Sequence, residues 1–202
     1  GEQKMVIHNP LPTSATFKAK SKVTGLVDKG ADKGALILTE RTLKDADSGL
    51  DLATLTSTTF ARGNGGYDGP SDEAPRPHKV PEREPDFAVD LNTLDMAALI
   101  YRLSGDYNPL HASPSVAKAA GFPKPILHGL CSLGVAGHAI LKGCCDYDAK
   151  RLKSLQLRFS SPVYPGEMVR TEIWRDGANI SFKSKILERD VVVLDNGHAT
   201  VE

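Results

Sequence analysis

Between His128 and Gly143 lies a helix-length segment crowded with small residues: Gly129, Cys131, Ser132, Gly134, Ala136, Gly137 and Ala139. Glycine in a helix interior costs about 1 kcal/mol relative to alanine. A helix holding several of them must recover that loss by close packing. A helix wrapped by a curved sheet needs such a surface, and the chain around this segment reads mostly as strand.

In the first part Ala15, Phe17, Ala19, Ser21 and Val23 alternate with polar residues, and Asp28-Lys29-Gly30 gives a turn signal. Gly34 to Leu43 and Leu52 to Phe60 predict two more strands, and no helix is expected there. Residues 63–85, GNGGYDGPSDEAPRPHKVPEREP, are too rich in Gly, Pro and charge for a helix or a central strand. Their length predicts a linker crossing between two units. The expected organisation is a first repeat over 1–62, a linker over 63–85 and a second repeat over 86–202.

The second part begins with helix signals. Asn92 is expected to cap a helix with Asp95 as its partner three residues on, and Met96, Leu99, Ile100 and Leu103 supply its apolar stripe. Gly105 ends it. Ser113-Pro114 starts a short helix that Gly121 closes. After the small-residue helix, alternation predicts strands around Leu155–Phe159, Val169–Ile173 and Ile180–Ser184, with a last strand or two in Val191–Val201. Pro10-Leu11-Pro12 followed by strand, turn, strand echoes Pro162-Val163-Tyr164-Pro165 followed by the same order, as a duplicated fold would. The first part has no counterpart of the small-residue helix.

Composition narrows the partners. The 202 residues hold 25 Lys plus Arg and 25 Asp plus Glu, so no global field recruits nucleic acid or an anionic membrane. No apolar run approaches the roughly 20 residues of a membrane span. Three cysteines, Cys131, Cys144 and Cys145, fit neither a disulfide framework nor a zinc site, which suggests a reducing compartment. Gly1-Glu2-Gln3-Lys4 reads like the middle of a domain, and Thr200-Val201-Glu202 is not a peroxisomal Ser-Lys-Leu ending.

Chemistry concentrates in Tyr101–Leu133. Asp106 and His111 lie five apart around Asn108-Pro109, a turn signal that can face a carboxylate and an imidazole into one pocket. Sharing a water, the two could trade its protons, as general acid–base catalysis requires. Taken alone, such residues more often serve local turns. Gly129 opens the small-residue helix, where free N–H groups and the helix dipole could stabilise a developing oxyanion; it could equally serve packing alone. His128 reads as a core histidine with a satisfied hydrogen bond, and His8, His78, His138 and His198 have no chemical context. Arg102, Lys118 and Lys124 read as solvated charges. There is no His-Glu-x-x-His and no Gly-rich phosphate loop.

Together, YRLSGDYNPLH at 101–111 and GFPKPILHGL at 121–130 resemble the hydratase 2 (MaoC-like) family motif, Y-R-L-S-G-D-x-N-P-L-H followed by G-F-x-x-P-I-L-H-G-L. The likeness extends to Arg158-Phe159 with Pro162–Gly166, to Asp28-Lys29-Gly30, and to Gly1-Glu2-Gln3 as the tail of a His-Gly-Glu-Gln stretch. It implies a double hot-dog fold, α+β, in which each curved antiparallel sheet wraps a central helix. The second hot dog is complete; the first lacks its front strand and helix, which would leave apolar surface exposed. The implied activity is hydration of trans-2-enoyl-CoA to (3R)-3-hydroxyacyl-CoA in fatty acid β-oxidation, with no metal and no cofactor. Asp106 and His111 would hold the water, Asn108 would shape their turn, and the Gly129 N–H would bind the thioester oxygen. Phe159, Tyr107, Pro109, Leu110 and Gly1 would border the substrate, and Lys29 would meet the anionic part of CoA. The resemblance also implies a homodimer, a peroxisomal location and fusion to a dehydrogenase in a longer polypeptide. The rival readings are a MaoC-like dehydratase of fatty acid synthesis, a non-catalytic acyl-CoA-binding or dimerisation module, and a hot-dog thioesterase, whose catalytic patterns lack D-x-N-P-x-H.

Overall fold

The computed structural model describes residues 1–71 and 74–202. Asp72 and Glu73, inside the expected linker, lie outside the described residues. The first part contributes four strands, β1 (Glu2–Ile7), β2 (Phe17–Asp28), β3 (Ala35–Asp45) and β4 (Asp51–Ala61). The second contributes β5 (Phe87–Asn92), the helices α1 (Ala97–Arg102), α2 (Pro114–Ala119) and α3 (Gly129–Cys144), and then β6 (Leu152–Phe159), β7 (Met168–Asp176), β8 (Asn179–Ile186) and β9 (Val191–Val201).

All the strands join one antiparallel sheet in the order β2-β3-β4-β1-β6-β9-β8-β7-β5. The order is mirrored about the β1/β6 seam, where Met5 faces Leu155 and Gln3 faces Leu157. Thus β1, β4, β3 and β2 occupy the places that β6, β9, β8 and β7 occupy on the other side. Pro10–Pro12 leads into β2 as Pro162–Pro165 leads into β7, so the sequence echo marks equivalent positions. This is the double hot-dog architecture. Among the described residues, β5 and α3 have no counterpart in the first part.

The core lies between α3 and the second half of the sheet. Ala136, Ala139, Ile140 and Cys144 of α3 meet Val89, Leu155, Leu157, Ile173, Phe182 and Ala199 from five different strands. The small residues work as close-packing points, but not uniformly. A Cβ on Gly143 would come within 2.7 Å of the Phe87 ring, and one on Gly137 would touch Leu155 at 3.4 Å. A Cβ on Gly134 would meet nothing within 4 Å. Close packing therefore accounts for Gly137 and Gly143 but not for Gly134.

Two expectations need correction, and one strand had been missed. Asn92 does not cap a helix: it ends β5, whose Phe87, Val89 and Leu91 face the core, and its register opposite Met168 takes its backbone into the sheet. The α1 N-cap is Met96, with no side-chain cap bond. The stripe Met96, Leu99, Ile100 and Leu103 is exposed, because α1 is only six residues long and turns Ala98 inward. Strand β1 had no period-2 signal, since Met5, Val6 and Ile7 are consecutive apolar residues flanked by two strands.

The apolar exposure expected of an incomplete first hot dog is present. Strand β2 is an edge, with Phe17, Val23 and Leu26 all in solvent. Lys18, Lys20 and Lys22 alternate with apolar positions along it, a pattern that discourages edge-to-edge association.

The linker is held to the sheet by polar contacts. The Asp28 carboxylate accepts from the N–H groups of Gly30 (2.8 Å), Gly66 (2.7 Å) and Tyr67 (2.8 Å), joining the β2–β3 turn to the start of the linker. Gly66 has φ +82°, and a Cβ there would meet Ala31 at 2.8 Å, so only glycine lets the linker pass. Further along, Asn196 donates to the His78 carbonyl, His78 pairs with Ser181, and the Trp174 indole donates to the Arg83 carbonyl. His78, which had no chemical context in the sequence, stands 4.6 Å from His198, ring to ring.

Two outcomes follow from these contacts. Gly134→Ala fills open space on a helix and is expected to stabilise this chain by about 0.5–1 kcal/mol, raising Tm by roughly 1–4 °C in a thermal melt. Gly143→Ala, which drives into Phe87, should lower it. The N–H groups of Gly66 and Gly30 chiefly hold the Asp28 carboxyl below the ordinary carboxylate range, against the opposing effect of burial. Its stabilisation is therefore complete above the unfolded pKa of about 3.9 and is lost as pH falls through the lower folded value. Asp28→Ala should speed amide exchange at Gly66 and Tyr67 at neutral pH and remove that acid-side loss from the stability profile.

Candidate active site

The site is assembled where α1 runs into the irregular segment before α3. Gly105, with φ +107°, turns the chain out of α1. Two side-chain-to-backbone turns follow. Asp106 Oδ1 accepts from the Asn108 N–H at 3.2 Å, and Asn108 Oδ1 accepts from the Leu110 N–H at 3.0 Å. The second bond caps a one-turn 3-10 helix, Pro109–His111, with proline at its first position. The local turn chemistry that rivals catalysis is thus present, and it is what aims His111.

His111 is nearly buried, 9% exposed. Its Nδ1 lies 2.8 Å from the Ile126 carbonyl. A carbonyl only accepts, so Nδ1 carries the proton and Nε2 keeps a lone pair. The Ile126 segment is itself fixed, because the Leu127 N–H donates to the Val163 carbonyl at 2.7 Å. Asp106 is exposed, but its carboxylate lies within 4.8 Å of ring nitrogens of both His111 and His128.

These three groups could suggest a metal site, and their geometry argues against one. The rings of His111 and His128 are stacked, 3.7 Å between centroids and 26° between planes. A metal bound to imidazole lies in the ring plane, and two stacked planes do not converge on one ion. In addition, His128 Nε2 faces the Asp106 carbonyl at 3.1 Å and so is a donor, not a ligand.

Gly129 follows His128 and opens α3, with no side-chain cap on that helix end. The first-turn N–H groups are consequently free of intrahelical partners and carry the positive end of the dipole. A Cβ on Gly129 would lie 3.3 Å from the Phe159 ring, so the glycine also allows that ring to close on the helix start.

Two cavities share Phe159. The inner one, about 250 Å³, is lined by His111, Phe122, Gly129, Ser132, Phe159 and Leu194, among others. The outer groove, about 910 Å³, runs past Gly1, Lys29, Arg62, Leu130, Arg158 and Phe159. Gly1, Lys29 and Phe159, far apart in sequence, are thereby brought together. Gly1 is fixed beside Phe159, whose N–H donates to the Gly1 carbonyl at 3.0 Å. Tyr107, Pro109 and Leu110 line neither cavity; Tyr107 lies in solvent with the Arg102 guanidinium 5.7 Å from its ring centroid. Arg102 is only partly the solvated charge expected: the side chain is half-buried and its Nε is buried without a partner. Arg62 carried no sequence signal and Arg158 entered only through the family likeness; only the sheet register brings them beside Lys29.

Comparison with known proteins agrees with this geometry. Residues 76–196 match the MaoC like domain, and residues 1–63 match the MFE-2 hydratase 2 N-terminal domain. A Dictyostelium discoideum protein named "Probable enoyl-CoA hydratase 2" is 40% identical over 205 residues, spanning 100% of this chain and 69% of that protein. The crystal structure of a MaoC-like dehydratase from Phytophthora capsici superposes with a TM-score of 0.93 at 42% identity, over 100% of this chain and 70% of that one. Full-length peroxisomal multifunctional enzyme type 2 from Drosophila melanogaster superposes at 0.90 with 38% identity, over 100% of this chain and 36% of that one. From the motif at 101–130, the mirrored sheet and these matches, the chain belongs to the hydratase 2 (MaoC-like) family.

Proposed function

We propose that the chain is an enoyl-CoA hydratase 2, adding water to a trans-2-enoyl-CoA to give the (3R)-3-hydroxyacyl-CoA. The observation that carries this reading is the tautomer of His111. With Nδ1–H tied to Ile126, its Nε2 lone pair is free to take a proton from a water shared with the Asp106 carboxylate. As the water oxygen bonds to C3, one of its protons passes to the Asp106/His111 pair. The electron pair of the double bond moves through C2 to the thioester oxygen, where the Gly129 N–H and the α3 dipole offset the charge. The pair then returns a proton to C2, so water is added and nothing is oxidised or reduced.

The two cavities support the same assignment. The inner one offers an acyl chain walls of Phe122, Phe159 and Leu194 beside His111 and Gly129. The outer groove offers Lys29, Arg62 and Arg158 to the phosphates of CoA. We read residues 1–62 as the incomplete first hot-dog repeat, 63–85 as the crossing linker and 86–202 as the complete catalytic repeat. In this reading the chain works in peroxisomal fatty acid β-oxidation, as a homodimer and as part of a longer polypeptide that includes a dehydrogenase. The name of the Drosophila relative and the share of it that this chain spans support that context, and the exposed α1 stripe supports an assembly.

Loss of enoyl absorbance on trans-2-decenoyl-CoA, with chiral analysis of the product, tests the reading. The chain should yield the (3R) isomer, and Asp106→Asn and His111→Ala should each lower kcat by about 10²–10⁴-fold. The double variant should be little worse than either single one, because the pair acts as a unit. No turnover with thioester binding retained would instead mark an acyl-CoA-binding module. Lys29→Ala should raise KM and leave kcat unchanged, as expected for a contact made equally in ground and transition states; a fall in kcat alone would remove Lys29 from CoA binding.

A further inference from the structure

His128 lies inside the site, yet the reaction above gives it nothing to do. Its side chain is 1% exposed. Nε2 donates to the Asp106 carbonyl at 3.1 Å, and the Asp106 carboxylate lies 4.0 Å from the same nitrogen. Nδ1 then holds a lone pair and is buried with no partner. An unsatisfied buried polar atom is destabilising, and a histidine kept only for packing has no reason to carry one. The ring stacks on His111 at 3.7 Å and leans on Tyr101 at 4.6 Å.

We propose that His128 is a positioning residue that holds Asp106 and His111 in register with Gly129; this rests on the hydratase reading of the site. Asp106 follows a glycine turn on an exposed segment, and its own Asx turn fixes it only relative to its neighbours. The Nε2–H bond ties that segment to the start of α3. His111 is fixed at one ring edge by Ile126, and the stack sets the plane of the ring, hence the direction of the Nε2 lone pair. The carboxylate, the base and the N–H donor are thereby all referenced to two adjacent residues, His128 and Gly129.

Burial favours the neutral form of His128. Burial pushes its imidazole below the ordinary value, and His111 and Arg102 add to this, against the bond to the Asp106 carbonyl and the Asp106 charge. The charged or titratable groups around it are Asp106 after α1, His111 on the 3-10 turn, and Tyr101 and Arg102 on α1. A neutral ring beside His111 lets that ring take up a proton during turnover without like-charge repulsion.

The test uses the chain with His128→Phe, which keeps a ring but no donor, and His128→Gln, which keeps a donor but no ring. Kinetics are read on trans-2-decenoyl-CoA, and nitrogen-15 spectra of the imidazoles report the His111 tautomer. In His128→Phe we expect kcat per folded molecule to fall on the order of 10²-fold with KM unchanged, and the His111 Nδ1–H signature to give way to a tautomer mixture. His128→Gln should recover part of the rate. Unchanged kcat per folded molecule and an unchanged His111 signature in both variants would overturn the proposal, since a merely structural histidine would alter only the folded amount. If the unsubstituted chain turns over no substrate, the hydratase reading fails, while the His111 signature still decides whether His128 positions it.

Discussion

The packing of α3 into the concave face of β5–β9 is the contact on which the rest depends. Its close approach rests on glycines: Gly143 against Phe87, Gly137 against Leu155 and Gly129 against Phe159. Each lets the helix axis come nearer the sheet than a side chain would allow. The approach at Gly129 also has a chemical consequence, because it sets the aromatic wall shared by both cavities directly against the helix N-terminus. One geometric requirement therefore serves the core and the site together.

Around that helix start, each histidine turns one ring nitrogen to a backbone carbonyl. The Ile126 carbonyl chooses the His111 tautomer, and the Asp106 carbonyl chooses that of His128. Both histidines are therefore oriented by peptide groups held by the fold, and Leu127, hydrogen-bonded to Val163, stabilises the segment that supplies the first of them. Side-chain partners would be free to titrate or rotate; carbonyls are not. That rigidity fixes where both rings point.

The two halves of the sheet contribute unequally. The second half holds the helix, Asp106, His111 and the inner cavity. The first half contributes the edge of the outer groove through Lys29, Leu36, Phe60 and Arg62, carried on β2–β4 and their turns. It reaches the site because β1 pairs with β6 and makes one sheet of two repeats. Gly66 and Tyr67 bond to Asp28 of the first half, and His78 and Arg83 bond to Ser181, Asn196 and Trp174 of the second, so the segment between β4 and β5 ties the two halves of the sheet together.

What the sequence determined by itself was local. Alternation of apolar residues marked β2 and β6–β8, since a two-sided sheet imposes a period of two; Ser113-Pro114 and the glycine-rich run marked α2 and α3; and the motif at 101–130 marked the segment that brings Asp106, His111 and Gly129 together. It misread the start of the second repeat, because Asn92-x-x-Asp95 satisfies helix-capping chemistry while Phe87, Val89 and Leu91 satisfy strand pairing, and the pairing partner β7 lies some 80 residues away in the chain. Only the tertiary structure decided the tautomers of His111 and His128, the partial burial of Arg102, and the meeting of Lys29, Arg62, Arg158 and Phe159 in one groove. The reason is physical: a tautomer depends on which carbonyl faces the ring, and a groove depends on strand register, and neither distance along the chain nor residue type records the neighbour that folding supplies.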